Sequence, residues 1–318
     1  MKAVCKMHMA FSFQRGNMQE KKKQYWIYGV GILLLILGLM IGVYSYQKSQ
    51  LPDKINILCL GIDKMVPLEE RDPLTNSIGQ ADAIYVVSVS RSTGEINVVA
   101  IPRDTMVYVE RYTSNMEYMG TEALQICTQY AYGDGTVNSC QLTQKRVEEV
   151  LPEVRIDGYV AININAIMDL NDAIGGVEVV IEDDYTAFQM SKWKGSTVNL
   201  MGIDTMNYLR VRDCTVEQSA YYRNERIKNY IAGFIPKAKE TIMKEPEVLG
   251  DIYQSLKENM VMNLSFGQLW DLANIGLKGS FDQITTHTLT GEIYISEEGY
   301  EEFYPYDISI EEMQKLLK

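Results

Sequence analysis

The sequence predicts an α/β domain in which helices flank a central mixed β-sheet. Apolar segments of strand length alternate with amphipathic segments of helix length from residue 55 onwards, and none repeats another. Turn-forming residues at 92–95 join two of the strands as a hairpin, so part of the sheet is antiparallel. Since nothing after residue 50 marks an internal boundary, we expect one layered domain over residues 55–318.

Three strands and two helices are predicted for the first part of this domain. The strands cover residues 55–61, 81–90 and 96–101, and the helices cover residues 122–132 and about 141–151. Residues 65–77 have the proline-containing, charged composition of a loop. Ser139 is a suitable N-cap for the second helix, whose inner side carries Leu142 and Val147.

The remainder of the domain continues the alternation. We predict a strand at 158–163, a helix at 165–174, a strand at 177–181, a short helix from residue 204, helices at about 222–244, 247–260 and 265–277, a strand-rich segment at 283–295 and a terminal helix at 310–317. Gly175 and Gly176 end the helix before them, because glycine readily adopts the conformation found after helix C-termini.

An uncharged apolar segment precedes the domain. Residues 25–46 contain no charged side chain and are long enough for a helix to cross a hydrocarbon core of about 30 Å. The alternative is a cleaved signal peptide, but the apolar segment is long and no small-residue cleavage site follows it. We therefore expect a transmembrane helix at residues 25–46, between a basic tail at residues 1–24 and a stalk at residues 47–54.

The charges around this segment predict its orientation. Residues 1–24 contain six lysines and arginines and one glutamate, with three of the lysines at residues 21–23. The positive-inside rule then places the N-terminus in the cytoplasm and the domain at residues 55–318 outside the cell membrane. Because the whole chain has a net charge of −12, this domain is acidic, and it lacks the cationic surface that nucleic-acid binding requires.

Two of the five cysteines flank a short loop. Cys127 and Cys140 lie on either side of the segment AYGDGTVNS, and an extracellular domain permits a disulfide between them. The alternative is a pair of free, buried thiols. We predict the disulfide, which would join two helices across the loop.

Two aspartates occur where strands end or begin. Asp63 directly follows the first strand, and Asp82 lies at the start of the second. If these strands are neighbours, the two carboxylates come together and repel one another unless a cation or a proton intervenes. Mg²⁺ uses one or two carboxylates together with substrate phosphates, so the pair is a candidate magnesium site. The alternative is that both aspartates only cap turns.

The segment AIPRDT places two charged residues at a strand end. Pro102 stops the third strand, and Arg103 and Asp104 follow at once. The ends of strands are where α/β sheets present ligand-binding groups. An arginine and an aspartate at this position therefore favour a binding role over packing.

Four further arginines lie within 17 positions of one another in this acidic domain: Arg210, Arg212, Arg223 and Arg226. The first two share a face only if the backbone is extended, and the last two share a face of a helix. Arginine suits bidentate contact with phosphate. The alternative is a solvated face paired with nearby carboxylates, which are Asp213, Glu217 and Glu225.

Other common active sites are missing from the sequence. It has neither a G-x-S-x-G elbow nor a G-x-x-x-x-G-K-[ST] phosphate loop. The two histidines, His8 and His287, lie far apart in the chain, so a zinc site is not expected.

The chain resembles the LytR–CpsA–Psr (LCP) family over residues 55 to about 235. The apolar span and six segments carry the resemblance: INILCLGID, ADAIYVVSVS, AIPRDT, IDGYVAININAIMDLNDAIGGVEV, YLRVRD and YYRNERIKNYI. The order of the IPRDT and GGVEV blocks is specific to the family. The chain departs from the family pattern at Ala220, where Asp is frequent, and at Ile227, where Gln is usual.

The resemblance implies a membrane-anchored phosphotransferase. Such enzymes move a glycopolymer from an undecaprenyl-pyrophosphate carrier onto a cell-wall hydroxyl, usually the C6 hydroxyl of N-acetylmuramic acid in peptidoglycan. By position, it implies Mg²⁺ binding by Asp63 and Asp82. It also implies pyrophosphate binding by Arg103, Arg210, Arg212, Arg223 and Arg226.

The candidate catalytic residues are Arg103, Asp104, Arg210 and Arg212. Phosphoryl transfer relies mostly on positioning and electrostatics, which arginines and Mg²⁺ supply. Asp104 either orients or deprotonates the attacking hydroxyl, or pairs with an arginine, and we expect the pairing. Three alternative functions stay open: binding of a polyisoprenoid pyrophosphate without transfer, hydrolysis of the pyrophosphate, and regulation at the cell envelope.

Overall fold

The computed structural model describes residues 52–182, 194–211, 219–265, 267–269, 271–272, 275 and 284–318. Asp53–Lys318 forms one compact unit. Its strands are β1 (Lys54–Ile62), β2 (Ala81–Ser90), β3 (Ile96–Ala100), β4 (Met106–Tyr112), β5 (Tyr118–Gln125), β6 (Gly158–Asn163), β7 (Val177–Val180), β8 (Thr197–Leu200), β9 (Met260–Met262), β10 (Ile284–Thr288), β11 (Gly291–Ile295) and β12 (Glu301–Pro305).

The described helices follow strand β5 and lie between or after the later strands. They are α1 (Val137–Val150), α2 (Ile164–Ala173), α3 (Ile203–Arg210), α4 (Ser219–Lys244), α5 (Val248–Leu256) and α6 (Asp307–Leu317), and a 3₁₀ helix at Ile126–Tyr132 precedes α1. Three antiparallel hairpins, β4–β5, β7–β8 and β11–β12, lie outside the main sheet.

A six-stranded sheet in the order β10-β3-β2-β1-β6-β9 forms the centre. β1 pairs antiparallel with β2 and parallel with β6, while β2 and β3 form the predicted hairpin. β10 runs parallel to β3, and β9 runs antiparallel to β6. The predicted class, an α/β fold with a mixed central sheet flanked by helices, is therefore confirmed.

β1 is buried on both faces because it lies inside the sheet. Leu58, Leu60 and Ile62 point to one face and belong to the main core, which also contains residues of α1 and α6. Ile55 and Ile57 point to the other face and pack with Leu264. This alternation follows from the period of two in a strand, and it explains why the segment is almost wholly apolar.

A second apolar cluster joins the β7–β8 hairpin to α3 and α4. Its members include Val177, Leu200, Tyr208 and Tyr230. Asn171 of α2 is fully buried beside it, donating to the Leu200 carbonyl (2.8 Å) and accepting from the Tyr230 hydroxyl (3.2 Å). This cluster holds the two helices that carry Arg210, Arg223 and Arg226.

The helix predicted at 122–132 differs from what forms. β5 occupies Tyr118–Gln125 because it pairs along its length with β4, and only the 3₁₀ helix follows. The buried Gln129 side chain fixes that helix to β4, since its amide accepts from the Glu110 N–H and donates to the Glu110 carbonyl, both at 2.9 Å. Tertiary pairing thus outweighs local helical preference.

Other helix boundaries also depart from the predictions, and two of them change the role of a residue or segment. α1 begins at Val137, so Ser139 lies inside its first turn and its hydroxyl donates to the Tyr130 carbonyl (2.7 Å) instead of capping. α5 ends at Leu256, and the end of the predicted helix becomes strand β9 beside β6. The helix expected at 265–277 falls only partly within the described residues.

Cys127 and Cys140 are free, buried thiols, so the predicted disulfide is wrong. The segment between them is not a plain loop joining two helices, because it contains most of the 3₁₀ helix and the first turn of α1. Cys140 packs in the main core, whereas the Cys127 sulfur lies 3.6 Å from a guanidinium nitrogen of Arg103. Burial raises the pKa of Cys127 to about 11 and that of Cys140 to about 12.

The described part of the chain contains no helix that is both long and apolar enough to cross a membrane. The predicted span at residues 25–46, the basic tail at 1–24 and most of the stalk at 47–54 lie outside the described residues.

Candidate active site at the sheet edge

Two aspartates meet where β1 ends and β2 begins. The strands are antiparallel neighbours with Ile62 opposite Ala81, so the residue after one strand lies beside the start of the other. The Asp63 N–H donates to the Gln80 carbonyl at 3.0 Å, which ties the two segments together. The neighbouring strands expected from the sequence therefore bring Asp63 and Asp82 to the same edge of the sheet.

The IPRDT segment forms a braced turn at this edge. The Thr105 N–H and hydroxyl both donate to the Pro102 carbonyl, at 3.0 and 2.6 Å, and Thr105 itself is fully buried. The Cys127 N–H donates to the Arg103 carbonyl at 3.2 Å. The backbone on both sides of Arg103 is thus held by hydrogen bonds, as a preorganised binding group requires.

The Arg103 side chain reaches across β2. One terminal nitrogen contacts Oδ1 of Asp82 at 2.6 Å, and the other donates to Oε1 of Gln80 at 3.2 Å. Nε lies 3.5 Å from Oδ1 of Asp104. The antiparallel register of β2 and β3 explains the contact with Asp82, because Tyr85 lies opposite Ala100 and the two segments continue alongside one another. The side chain is 39% exposed, so it can still contact a ligand.

Asp104 is paired in the way the sequence analysis expected. Besides Arg103, its Oδ1 accepts from Nε2 of Gln125 at 2.9 Å. The same Gln125 nitrogen donates to the Glu301 carbonyl at 2.7 Å. The Asp104 carbonyl accepts from the Phe303 N–H at 2.9 Å, so strand β12 borders the site.

Arg210 closes the other side of the edge. It is the last residue of α3, and its terminal nitrogen contacts Oδ1 of Asp63 at 2.8 Å. α3 begins after Gly202, whose φ of 51° favours glycine and whose N–H donates to Oδ1 of Asp172 at 2.8 Å. Both partners of the Arg210–Asp63 pair are more than 40% exposed, so the pair is accessible to a ligand.

Arg226 occupies a different environment. It is only 4% exposed, Nε donates to the Tyr208 carbonyl at 2.7 Å, and a terminal nitrogen donates to the Val211 carbonyl at 2.5 Å. Its guanidinium also lies 5.9 Å from the centre of the Tyr208 ring. Since those carbonyls belong to the C-terminal end of α3, Arg226 holds the helix end that carries Arg210.

The remaining predicted residues are less closely defined. Arg223 lies nearly one turn before Arg226 on α4 and is partly exposed. Arg212 lies outside the described residues. The structure thus assembles Asp63, Asp82, Arg103, Asp104 and Arg210 at one edge and gives Arg226 backbone partners.

Burial and like charge act together on the carboxylates. Burial raises the pKa of Asp82, which Arg103 partly offsets and Asp63 increases further. Burial also raises the pKa of Asp104, opposed by Arg103 and assisted by Glu301. The edge therefore carries carboxylates that gain from an additional cation.

The donor set at this edge fits a hard cation. Within the described ranges, no three or more His, Cys, Asp or Glu side chains are grouped to hold a metal ion. Asp63 and Asp82 nonetheless offer two carboxylates at adjacent strand ends, and Asp63 is one of the groups that raise the pKa of Asp82. Mg²⁺ commonly takes one or two carboxylates and completes its shell with phosphate oxygens and water, which matches this pair.

Three residues in the site were not predicted to take part: Gln80, Gln125 and Cys127. Gln80 had a signal in the sequence, because it directly precedes the strand that begins at Ala81 and lies two residues before Asp82. Gln125 and Cys127 had none, since only the pairing of β4 with β5 brings them beside Arg103 and Asp104.

The fold and this edge define a class of protein. It is an α/β protein in which accessible arginines, each paired with an aspartate, stand at strand and helix ends. Such a constellation suits a ligand that carries phosphate groups.

Comparison with known proteins identifies the family. The chain matches the LytR_cpsA_psr family over residues 40–318, and it belongs to that family. It is 29% identical over 302 residues to a polyisoprenyl-teichoic acid–peptidoglycan teichoic acid transferase, TagU, of Bacillus subtilis strain 168, an alignment that covers 86% of this chain and 89% of the relative. A relative of the same name from Bacillus licheniformis is 25% identical over 295 residues, with the same coverage.

Solved structures share the fold. A crystal structure of TagV from B. subtilis superposes with a TM-score of 0.61 at 22% identity, covering 84% of this chain and 97% of that chain. A structure of TagT bound to LI-WTA has a TM-score of 0.57 at 24% identity, covering 83% of this chain and 89% of that chain. At these identities the structures support the architecture, while the family assignment rests on the sequence match.

Proposed function

We propose that this protein is a phosphotransferase that moves a glycopolymer from an undecaprenyl-pyrophosphate carrier onto a hydroxyl of peptidoglycan. Membership of the LytR_cpsA_psr family and relatives named as teichoic acid transferases support this assignment. The observation that carries it is the Arg103 side chain, which the IPRDT turn holds at the sheet edge, partly exposed and next to Asp82.

In the proposed reaction the acceptor hydroxyl oxygen bonds to the phosphorus that carries the glycopolymer. The phosphoanhydride bond breaks, and the prenyl monophosphate leaves with the bonding electron pair. The hydroxyl proton passes to solvent or to a carboxylate of the site. Negative charge builds on the phosphate oxygens during this step, so fixed guanidinium groups stabilise the transition state more than the bound donor.

The accessible arginines take the main binding roles. Arg103 and Arg210 contact the pyrophosphate oxygens, and we assign Arg212 and Arg223 to the same ligand from their positions in the family motifs. We assign Arg226 to the α3 end, because its described hydrogen bonds reach the Tyr208 and Val211 carbonyls.

Asp104 acts through Arg103 in this proposal. Its carboxylate lies 3.5 Å from Nε of Arg103 and accepts from Gln125, so it orients the guanidinium. Asp63 and Asp82 would hold Mg²⁺, which supplies charge neutralisation at the pyrophosphate when it is bound. While they are ionised, these two carboxylates also keep Arg210 and Arg103 directed at the edge.

We place the reaction at the outer face of the cell membrane. Residues 25–46 form the anchor in this proposal, with residues 1–24 in the cytoplasm and the domain outside, where both the lipid carrier and peptidoglycan are accessible. A reporter fused after Lys318 should be active only outside the cytoplasm, and cytoplasmic activity would contradict this arrangement.

Transfer is tested with the purified full chain in detergent. The reaction contains a polyprenyl-pyrophosphate-linked glycopolymer, glycopolymer-free peptidoglycan and Mg²⁺, and the measurement is glycopolymer covalently attached to peptidoglycan. We expect attachment that EDTA abolishes and added Mg²⁺ restores. Release of the polymer into solution would instead indicate a pyrophosphatase, and donor binding without any reaction would indicate a carrier protein.

A further inference from the structure

An exposed group of tyrosines borders the candidate site. Tyr294 of β11 and Tyr304 of β12 lie on one face of their hairpin, with ring centroids 5.7 Å apart and planes at 76°. Tyr306 follows β12, and β12 in turn lies against β4, which carries Tyr108. These four side chains, between 44% and 70% exposed, are called the tyrosine surface below.

Carboxylates are interleaved with the rings. The Tyr304 hydroxyl donates to Oε2 of Glu302 at 3.0 Å, and the Tyr294 hydroxyl donates to Oε2 of Glu292. In the hairpin register Glu292 lies opposite Tyr304, and Tyr294 lies opposite Glu302. The rings of Tyr294 and Tyr304 are therefore flanked by acceptor oxygens, and each phenol is held in place by one of them.

The tyrosine surface is continuous with the site. Phe303, the residue before Tyr304, donates its N–H to the Asp104 carbonyl at 2.9 Å, and it forms a parallel bridge with Thr105. Gln125 links the Asp104 carboxylate to the Glu301 carbonyl. Strand β12 thus runs alongside the segment that carries Arg103, at the strand separation of about 4.8 Å.

We propose that the tyrosine surface binds the saccharide acceptor, a glycan strand, and guides its hydroxyl towards the phosphate at Arg103. This proposal rests on the proposed function. Rigid aromatic rings stack on the apolar faces of sugars, and carboxylates accept hydrogen bonds from sugar hydroxyls. Exposed aromatic groups beside a reaction site mark a binding surface.

Charge separates the acceptor from the donor. Glu292 and Glu302 beside the tyrosine surface repel a polyanionic glycopolymer. The arginines at the sheet edge instead attract the pyrophosphate of that polymer. The same glutamates disfavour contact with anionic lipid headgroups. A glycan strand is therefore the occupant that best matches both the rings and the carboxylates.

The test measures glycan binding by the full chain in detergent, without any donor. The probe is a set of soluble peptidoglycan glycan strands that are free of teichoic acid and peptide and whose lactyl carboxyls are amidated, so that the probe is uncharged; it is titrated by calorimetry. We compare the parent with Tyr294→Thr/Tyr304→Thr, which removes both rings but keeps strand propensity. Tyr253→Ala is the matched control, since Tyr253 of α5 is 50% exposed and lies outside the tyrosine surface.

We expect affinity for the glycan to fall roughly tenfold or more in the double variant and to stay unchanged in the control. The Tyr304→Phe variant should retain most of the affinity, because it keeps the ring. Each single Thr variant is measured as well, together with its melting temperature, so that a folding defect of the double variant does not decide the result. In the transfer assay, the KM for the acceptor should rise while that for the donor stays the same.

Absence of glycan binding by the parent would overturn this proposal, as would equal losses in the control or no loss in any Thr variant. The proposal would also be overturned if the Thr variants kept their glycan affinity but lost another interaction. Lost binding to phosphatidylglycerol vesicles would identify a lipid surface as the occupant, and loss of a dimer would identify a second copy of the chain. If the parent binds glycan through these tyrosines but transfers nothing, the proposed transfer fails while the acceptor surface stands.

Discussion

The described hydrogen bonds and ion pairs of Arg103 and Arg226 reach different kinds of partner. Arg103 lies at the edge of the central sheet, 39% exposed, and its guanidinium contacts two carboxylates and a glutamine. Arg226 lies between α3 and α4, 4% exposed, and donates to two main-chain carbonyls. The carbonyls belong to the fold itself, whereas the carboxylates at the edge are also available to a ligand or a cation.

This difference distinguishes an arginine that can bind a ligand from one that stabilises the fold. An accessible guanidinium held by carboxylates can exchange or share them with a phosphate, so its loss affects the reaction. A buried guanidinium that satisfies carbonyls stabilises the helix end, so its loss leaves those carbonyls without partners. The sequence analysis assigned both arginines to the pyrophosphate, and their burial and described partners are what distinguish them in the structure.

The largest expected effect is loss of transfer at Arg103. Arg103→Ala should reduce transfer in vitro by roughly 10²-fold or more, the scale for removing one preorganised donor to a transition state. Arg103→Lys should restore only part of it, because an ammonium does not make the bidentate contact. The melting temperature should change little, since the side chain lies at the surface. A variant that melts far lower but transfers normally per folded molecule would make Arg103 structural.

Arg226 should show the reverse pattern. Arg226→Met should lower the free energy of unfolding by about 2–4 kcal/mol, because the Tyr208 and Val211 carbonyls lose their donors. The melting temperature should fall by roughly 5–15 °C. Lys228→Met is the control on the same helix, as Lys228 is exposed and pairs with Glu225 at the surface. A fully stable Arg226→Met protein without activity would assign Arg226 to the ligand instead.

A substitution of Asp82 tests how much stability the protein loses by burying this carboxylate at the sheet edge. Its pKa is raised, so the folded protein holds the proton more tightly than the unfolded chain, and stability falls as the pH rises from 3.8 through the folded pKa. Asp82→Asn should therefore melt no lower than the parent at pH 7, and any advantage should vanish near pH 3. Transfer by the Asp82→Asn variant should require an Mg²⁺ concentration that is higher by roughly tenfold or more.

Two outcomes would contradict these expectations, one for stability and one for Mg²⁺ binding. A lower melting temperature of Asp82→Asn at pH 7 would mean that the contact with Arg103 outweighs the burial of the carboxylate. An unchanged Mg²⁺ requirement would remove Asp82 from the proposed cation site. Asp157→Asn is a control for the metal requirement, because Asp157 pairs with Arg155 outside the edge.

Cys127 should have the smallest effect. Burial raises the pKa of its thiol to about 11, so at neutral pH it faces Arg103 without a charge. Cys127→Ala should lower transfer roughly threefold or less, the scale of one weak neutral contact. Alkylation of unfolded, unreduced protein should modify both Cys127 and Cys140, and a linked peptide pair in the mass map would reinstate the disulfide.

Local patterns predicted the limits of two strands of the central sheet. β2 (Ala81–Ser90) was predicted from its alternation of apolar and polar residues, and β6 (Gly158–Asn163) from a short segment of strand length, both with the observed limits. The two aspartates at neighbouring strand ends followed from the same reasoning. So did the position of Arg103, because Pro102 has no N–H to donate to the ladder of a central strand.

Local patterns could not predict contacts between residues that are distant in sequence. The segment at Tyr118–Gln125 became a strand because β4 pairs with it, and this pairing sends Cys127 towards Arg103 instead of towards Cys140. Likewise, Gln125 reaches Asp104 only through the same hairpin.

The sequence by itself determined the α/β class, the strands β1, β2, β3 and β6 of the central sheet, and the aspartates and arginine at its edge, because burial and chain-breaking residues act locally. Only the tertiary structure decided that Arg226 supports α3, that the cysteines stay apart and that β12 brings tyrosines beside Asp104. The physical reason is that hydrogen-bond partners and burial depend on segments that meet only when the chain is folded.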